Sequence, residues 1–339
     1  MSFQIAIQPS GRTCISENGA TILRAVLDAG FNLPYGCRNG ACGTCKGKIL
    51  EGQVDHGSSS SAALTEEDKA AGLALFCCAR PLSDISIECH ELTTADDIPV
   101  RTLPCRIQKL ERLAADVMAL HLKLPVNEKF HFRAGQYIEI LLKDGKRRAF
   151  SLANAPHDDE LLQLHIRLVP GGQFTGHVFN GMKERDMMRF EGPHGGFFLR
   201  EDSSRPVILV AGGTGFAPIK SIIEHALHMQ SRRPMTLYWG ARDRSGLYLS
   251  DLPQRWALEH AQIEYVPVLS EPLVGDAWAG RVGLVHQAVL EDHADLSAYQ
   301  VYACGAPAMI DAARRDFAEH GLPAEAFFAD VFSFTSDAP

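Results

Sequence analysis

The chain has 339 residues, of which 46% are hydrophobic and 22% charged. These values exclude a disordered or collagen-like chain, and the length suggests two or three domains. The net charge of −8 argues against an extended phosphate-binding face, so nucleic acid is not an expected partner. No apolar run approaches the ~18 residues needed to span a bilayer. The opening MSFQIAIQPS lacks a basic n-region and an apolar h-region, so a cytoplasmic location without membrane contact is expected.

The first expected domain is 1–93. FQIAIQP alternates like a half-buried strand, ATILRAVLDAG carries apolar residues at helical spacing and stops on Gly30, and Thr65-Glu66-Glu67-Asp68 opens a second short helix. DISIECHEL alternates again, which places Ile85, Ile87 and Cys89 on one face and makes Cys89 a core residue. Nine cysteines are an odd number for a disulfide framework, and six of them lie between 37 and 89. Cys37, Cys42 and Cys45 form C-x₄-C-x₂-C, followed by adjacent thiols at Cys77 and Cys78. This is the spacing of a plant-type 2Fe–2S loop, in which four soft thiolates hold two irons. A four-cysteine zinc site would usually show a second C-x₂₋₄-C knuckle, which is missing. Gly36, Gly40 and Gly43 give the loop the freedom to turn its amides inward. In an extended segment Cys77 and Cys78 point to opposite faces, so only one can be a ligand.

Residues 94–102 read as a linker, being polar and poor in aromatics. Over 103–202 come many short β-like runs separated by turn residues, the pattern of a small antiparallel barrel. Within it, Arg148 and Phe150 share one side of a strand and Ser151 takes the other, while Gly171, Gly172, Gln173 and Thr175 open a helix. An arginine can hold a phosphate while the neighbouring ring lies on a flat heterocycle, and helix amides can take a pyrophosphate. From 203 to 339 strands alternate with helices, as in a parallel α/β sheet. There, a strand ends in Gly212-Gly213-Thr214-Gly215 and a helix follows, a context suited to a dinucleotide even though Pro218 breaks G-x-G-x-x-G. Cys304-Gly305-Ala306-Pro307-Ala308-Met309 is a second strand-to-helix junction of the same type.

The N-terminal third resembles plant-type ferredoxins. In that family the fourth ligand lies four residues before a proline that precedes a Ser-Asp pair, which points to Cys77, four before Pro81 and Ser83-Asp84. The middle resembles the flavin barrel of the ferredoxin–NADP reductase superfamily, whose motif is R-x-Y-S; Phe150 departs from it, keeping the stacking ring and losing the phenol. The resemblance implies a β-grasp ferredoxin domain, an antiparallel β-barrel for FAD and an α/β parallel-sheet NAD domain. It assigns Arg148 and Thr175 to the pyrophosphate, Phe150 to the ring, Ser151 to flavin N5, and His165-Ile166-Arg167 to the strand beside the isoalloxazine. It makes Cys304 the wall of the nicotinamide site and Tyr238 to Arg242 the edge that reads the adenosine ribose. Asp330-Val331-Phe332 resembles the closing motif of the superfamily, where Phe332 covers the flavin until nicotinamide displaces it. FFADVFSF equally fits a last buried strand.

Taken whole, the chain looks like the reductases that fuse such a ferredoxin to a flavin barrel and an NAD domain. FCCARPLSD, LANAP, AGGTGFAPIKS and VYACGAPAMI carry a likeness within them to the CDP-6-deoxy-3,4-glucoseen reductases of deoxysugar synthesis. Reductase components of multicomponent oxygenases share the organisation. The resemblance implies electron transfer from NADH through FAD and a 2Fe–2S cluster to a partner protein, either a pyridoxamine-phosphate dehydratase or an oxygenase component. A non-catalytic iron–sulfur sensor would have no use for the flavin and dinucleotide motifs. Asp243 favours NADH by repelling a 2′-phosphate, although Arg242 and Arg244 flank it and leave NADPH open.

Overall fold

A computed structural model describes residues 2–17, 19–31, 33–61, 63–89 and 98–332. The chain divides into two compact units, Met1–Asp97 with Ala329–Ser333, and Ile98–Phe328 with Phe334–Pro339.

The first unit is built on a five-stranded mixed sheet in the order Arg12–Ser16, Phe3–Gln8, Ile85–Glu88, Lys46–Glu51, Leu73–Leu75. Phe3–Gln8 pairs antiparallel with its hairpin neighbour and parallel with Ile85–Glu88. Alternation sends Ile5, Ile7, Ile85 and Ile87 to one face, where helix Ile22–Asp28 covers them with Ile22 and Val26. Cys89 is buried in the same core. Thr65 caps the short helix Glu66–Ala70 through a reciprocal bond with Asp68. The loop 37–45 runs between the first helix and the strand that starts at Lys46.

The second unit begins with a six-stranded antiparallel sheet in the order Arg147–Ser151, Tyr137–Leu141, Met187–His194, Arg101–Ala114, Val117–Lys123, Leu162–Arg167. Its ends close through the bridge between Leu152 and Leu164 and the bond from Ala153 N to Gln163 O. Closure removes both edges and makes a barrel filled by Leu103, Ile107, Leu120, Ile138, Leu164 and Phe190. Of the expected linker, 94–97 lie outside the described residues. Arg101 and Thr102 already belong to the first barrel strand, paired with Gly192 and Glu191, because the ladder extends past the last apolar residue.

A parallel sheet follows, with Arg281–Val282, Ile263–Leu269, Met235–Ala241, Val207–Gly212 and Gln300–Gly305 as neighbours in that order. Val207–Gly212 is the first strand in sequence, and its neighbours on either side come later. The order therefore reverses between it and Gln300–Gly305, where α/β sheets open a crevice beyond the strand ends. The last strand, Phe327–Val331, begins in this unit.

Candidate active site

In the first unit the loop thiols lie in two pairs. The Cys42 amide donates to Cys37 Sγ (3.2 Å) and the Cys37 amide returns a bond to Cys42 Sγ (3.4 Å). The Cys77 amide points at Cys45 Sγ (3.5 Å). Gly40 and Gly43 take left-handed backbone conformations that few other residues adopt, which lets these amides face sulfur. The bond between these two thiols leaves one proton held by the pair, lowering the Cys42 thiol and raising that of Cys37. Four thiolates around one zinc would sit about 3.8 Å from each other. Among the described residues, no three cysteine sulfurs lie within 4.8 Å of one another. Two pairs held apart fit a dinuclear cluster and do not fit a single tetrahedral ion.

The extended segment expected at Cys77-Cys78 is a turn. Cys78 N and Ala79 N both donate to Leu75 O (2.9 and 2.8 Å), and the two sulfurs come to 3.7 Å. Because the pair lies in a turn and not in a strand, Cys77 and Cys78 do not point to opposite faces.

In the second unit the strand and the helix that carry expected flavin residues meet through a ring pair. Phe150 packs half-buried beside Phe174, ring centroids 5.4 Å apart. Arg148 is half-buried on the same side of the strand, and Ser151 is buried. The helix Gln173–Asn180 starts at Gly172 with no side chain capping its amides, which leaves them able to meet an anion. Gln173 is exposed at that start. The Thr175 hydroxyl stands at the same helix start and accepts from Val169 N at 3.1 Å.

Along Leu162–Arg167, Ile166 points into the barrel core, and only its main chain can meet a ligand. His165 and Arg167 take the other face. Arg167 Nε and Nη2 are buried without a hydrogen-bond partner, and so is His165 Nε2. Burial drives the His165 pKa down to about 3, so the ring is neutral, with Nδ1 against Tyr248 Oη at 2.9 Å. Buried donors left unmatched are costly, and these fit a polar heterocycle or an anion placed between the two domains of this unit.

The glycine loop meets this strand and the second junction at the switch point. A Cβ on Gly213 would lie 3.4 Å from the Arg167 guanidinium. Gly215 sits so close to Gln300–Gly305 that a Cβ would come 2.1 Å from Cys304 O. Met309 Sδ fills the space beside Gly212, where a Cβ would be 2.7 Å away, and its methyl lies equally close to Gly305. Thr214 is half-buried between them. The helices Phe216–His228 and Pro307–Glu319 both start without a side-chain cap, the second with Pro307 in its first turn. Cys304 is fully buried at the strand end between them. Two helix starts without side-chain caps thus lie side by side, facing the barrel strand that carries the unmatched donors.

At the far edge Arg242 is exposed. Asp243 accepts from the Ser245 hydroxyl at 2.5 Å and from Ser245 N at 3.0 Å, which holds its carboxyl below the usual range. Arg244 is held by Asp276 O at 3.0 Å. Asp243 is therefore a fixed negative charge, and of the two arginines Arg242 alone is not tied to Asp276. Phe332 follows directly after the last strand and is half-buried.

Sequence reasoning did not single out the residues that join barrel to sheet. Lys220 Nζ donates to Ala153 O (3.0 Å) and to Glu224, and Ser221 Oγ donates to Asn154 O (2.7 Å). Trp239 Nε1 donates to Gly213 O and steadies the glycine loop. The available signal was a lysine and a serine interrupting the apolar run of a helix, both of which are buried.

Comparison with known proteins agrees with this geometry. The 2Fe-2S iron-sulfur cluster binding domain matches residues 5–82, the oxidoreductase FAD-binding domain residues 104–199, and the oxidoreductase NAD-binding domain residues 209–315. CDP-6-deoxy-L-threo-D-glycero-4-hexulose-3-dehydrase reductase of Yersinia pestis is 43% identical over 334 residues, 98% of this chain and 99% of that one. The chain belongs to the iron–sulfur flavoprotein reductases. Reductase component 2 of terephthalate 1,2-dioxygenase from Comamonas sp. is 37% identical over 338 residues, 98% of each chain. The crystal structure of the Amycolatopsis cytochrome P450 reductase GcoB superposes with a TM-score of 0.79 at 35% identity, covering 97% of this reductase and 98% of that one. This reductase is an NAD(P)H-dependent oxidoreductase using FAD and a 2Fe–2S cluster. No helix among its described residues is long and apolar enough to cross a membrane.

Proposed function

We propose that this reductase supplies electrons to a nucleotide-hexulose dehydrase of the kind named in its Yersinia relative. The observation that carries this reading is 43% identity sustained over 334 residues, against 37% over 338 for the terephthalate dioxygenase component. The chemistry of acceptor recognition lies on the protein surface, so similarity that runs through all three domains, ferredoxin included, supports a shared acceptor class.

In this reading Cys37, Cys42, Cys45 and Cys77 hold the cluster. Arg148, Phe150, Ser151, the Gly172–Thr175 loop, His165 and Arg167 hold FAD. The amides of Gly212–Gly215 and of the Pro307 helix take the nicotinamide nucleotide, with Cys304 as a polarisable wall and Met309 packing the loop. Bound flavin exchanges electrons in pairs with a nicotinamide and singly with an iron–sulfur cluster, which is why nucleotide and thiol sites belong on one chain. The protein's own part is to bind and orient. Arg167 offers its unmatched donors to a ligand, His165 stays neutral, and the Lys220 and Ser221 bonds hold the barrel against the sheet. Asp243 opposes a 2′-phosphate, so NADH is the preferred donor. Cysteines that serve as cluster ligands, and not as disulfide partners, suit a reducing compartment, so the reading includes a cytoplasmic site of action.

Reconstitution tests the proposal. The reductase, NADH and purified CDP-6-deoxy-L-threo-D-glycero-4-hexulose-3-dehydrase with its substrate should give steady product formation that stops when the reductase is omitted. Turnover with a terephthalate-type oxygenase and none with the dehydrase would overturn it. A higher kcat/KM for NADPH than for NADH would overturn the nucleotide preference.

A further inference from the structure

We propose that Cys78 donates a hydrogen bond to the ligand Cys77 and thereby holds the reduction potential of the cluster up. The inference rests on the reading of Cys77 as the fourth ligand. The turn that follows Leu75 folds the two cysteines together and brings their sulfurs to 3.7 Å, within reach of an S–H···S bond. A coordinating thiol is deprotonated, so Cys77 has no proton to give. The proton in this contact belongs to Cys78.

The surrounding chain is shaped to keep that sulfur where it is. Gly40 lies against it, and a Cβ there would come 2.7 Å from Cys78 Sγ and 3.1 Å from Ser58 O. Gly57 packs against the Cys78 carbonyl on another side, where a Cβ would stand 2.7 Å from the oxygen. The bond from Ser60 N to Gly40 O (3.1 Å) fixes the loop that carries Gly40. A residue with any side chain at 40 would push the thiol away. The donor is therefore positioned by two glycines and a turn, and not by chance rotation of an exposed side chain.

Adding an electron makes the cluster more negative and strengthens every hydrogen bond that its sulfurs accept. A donor therefore favours the reduced form and raises the potential. A bond of this modest kind should shift the balance between reduced and oxidised cluster about threefold to tenfold, where tenfold is about 59 mV for one electron.

The experiment is a redox titration of the full-length holoprotein, following the low-temperature EPR signal of the reduced cluster in wild type, Cys78→Ala, Cys78→Val and Cys78→Ser. Both donor-free variants should keep a full cluster by visible absorption and spin count, with a lower potential. Cys78→Ser, which retains a donor, should stay near wild type. An unchanged or higher potential in Cys78→Ala and Cys78→Val would overturn the proposal while leaving the ligand assignment standing. So would a serine variant shifted as far as alanine. Loss of the cluster in the donor-free variants together with its retention in Cys77→Ala would make Cys78 the ligand and overturn both.

Discussion

Gly215→Ala should disable the nicotinamide side of this reductase and spare the rest. A methyl at 215 would stand 2.1 Å from Cys304 O and 2.6 Å from its carbonyl carbon. Both are main-chain atoms of a fully buried strand, so no side chain can swing aside. Relief requires the glycine loop and the Gln300–Gly305 strand end to part by about 1 Å to regain ordinary contact. Overpacking of this kind costs about 1–3 kcal/mol of stability, which a domain of this size can absorb. Function should suffer more, because about 1 Å of misplacement can cost roughly 100-fold in rate. The expected result is a fall of about 100-fold in kcat/KM for NADH with ferricyanide as acceptor. Flavin content and the cluster spectrum should be unchanged, since neither the barrel nor the thiol loop is touched. Stopped-flow mixing with NADH should show slow flavin bleaching, while dithionite should reduce the same protein fully. Gly275→Ala, where nothing lies within 4 Å of the added methyl, is the control and should match wild type. Turnover of Gly215→Ala within threefold of wild type would refute the reasoning.

Arg148→Ala should weaken FAD retention by roughly 10- to 150-fold, the loss of a charge-assisted contact of about 1.5–3 kcal/mol; equilibrium dialysis of the flavin reads it, and unchanged affinity would remove Arg148 from the site. Cys42→Ser should lose the cluster's visible absorption and its transfer to cytochrome c yet still reduce ferricyanide from NADH; undiminished cytochrome c reduction would place the cluster off the path. His165 is held neutral by burial, with Lys220 and His121 adding unfavourable charge, so its folded pKa of about 3 lies below the ordinary 6.5. The unfolded chain then takes up a proton first as pH falls, and the stability present above about pH 6.5 is lost at up to about 1.4 kcal/mol per pH unit below it. Denaturant titrations at pH 7.5 and 5.5 should show a loss in wild type that His165→Asn reduces by about that amount; equal losses would contradict the assignment.

What the sequence determined by itself was local. The C-x₄-C-x₂-C loop, the glycine-rich strand-to-helix junctions at 212–215 and 304–309 and the barrel's R-x-F-S strand are each contained within about ten residues. Spacing and residue type suffice to read them, because loop geometry and helix amides are set by near neighbours. The alternation of β-like runs before residue 202 and of strands with helices after 206 likewise distinguished barrel from parallel sheet. Tertiary structure decided what depends on distant partners. The Cys77-Cys78 turn closes locally on Leu75 O, but the Cys78 sulfur is seated by Gly40, some forty residues away in sequence. Lys220 and Ser221 interrupt an otherwise apolar helix for the sake of two carbonyls, Ala153 O and Asn154 O, on the opposite domain. Arg167 keeps its unmatched donors beside Gly213 of the other domain, where a Cβ would lie 3.4 Å from the guanidinium. A residue's type limits the bonds it can make, but which bond it makes is set by whatever the fold brings within 3 Å, and that information is spread over the whole chain.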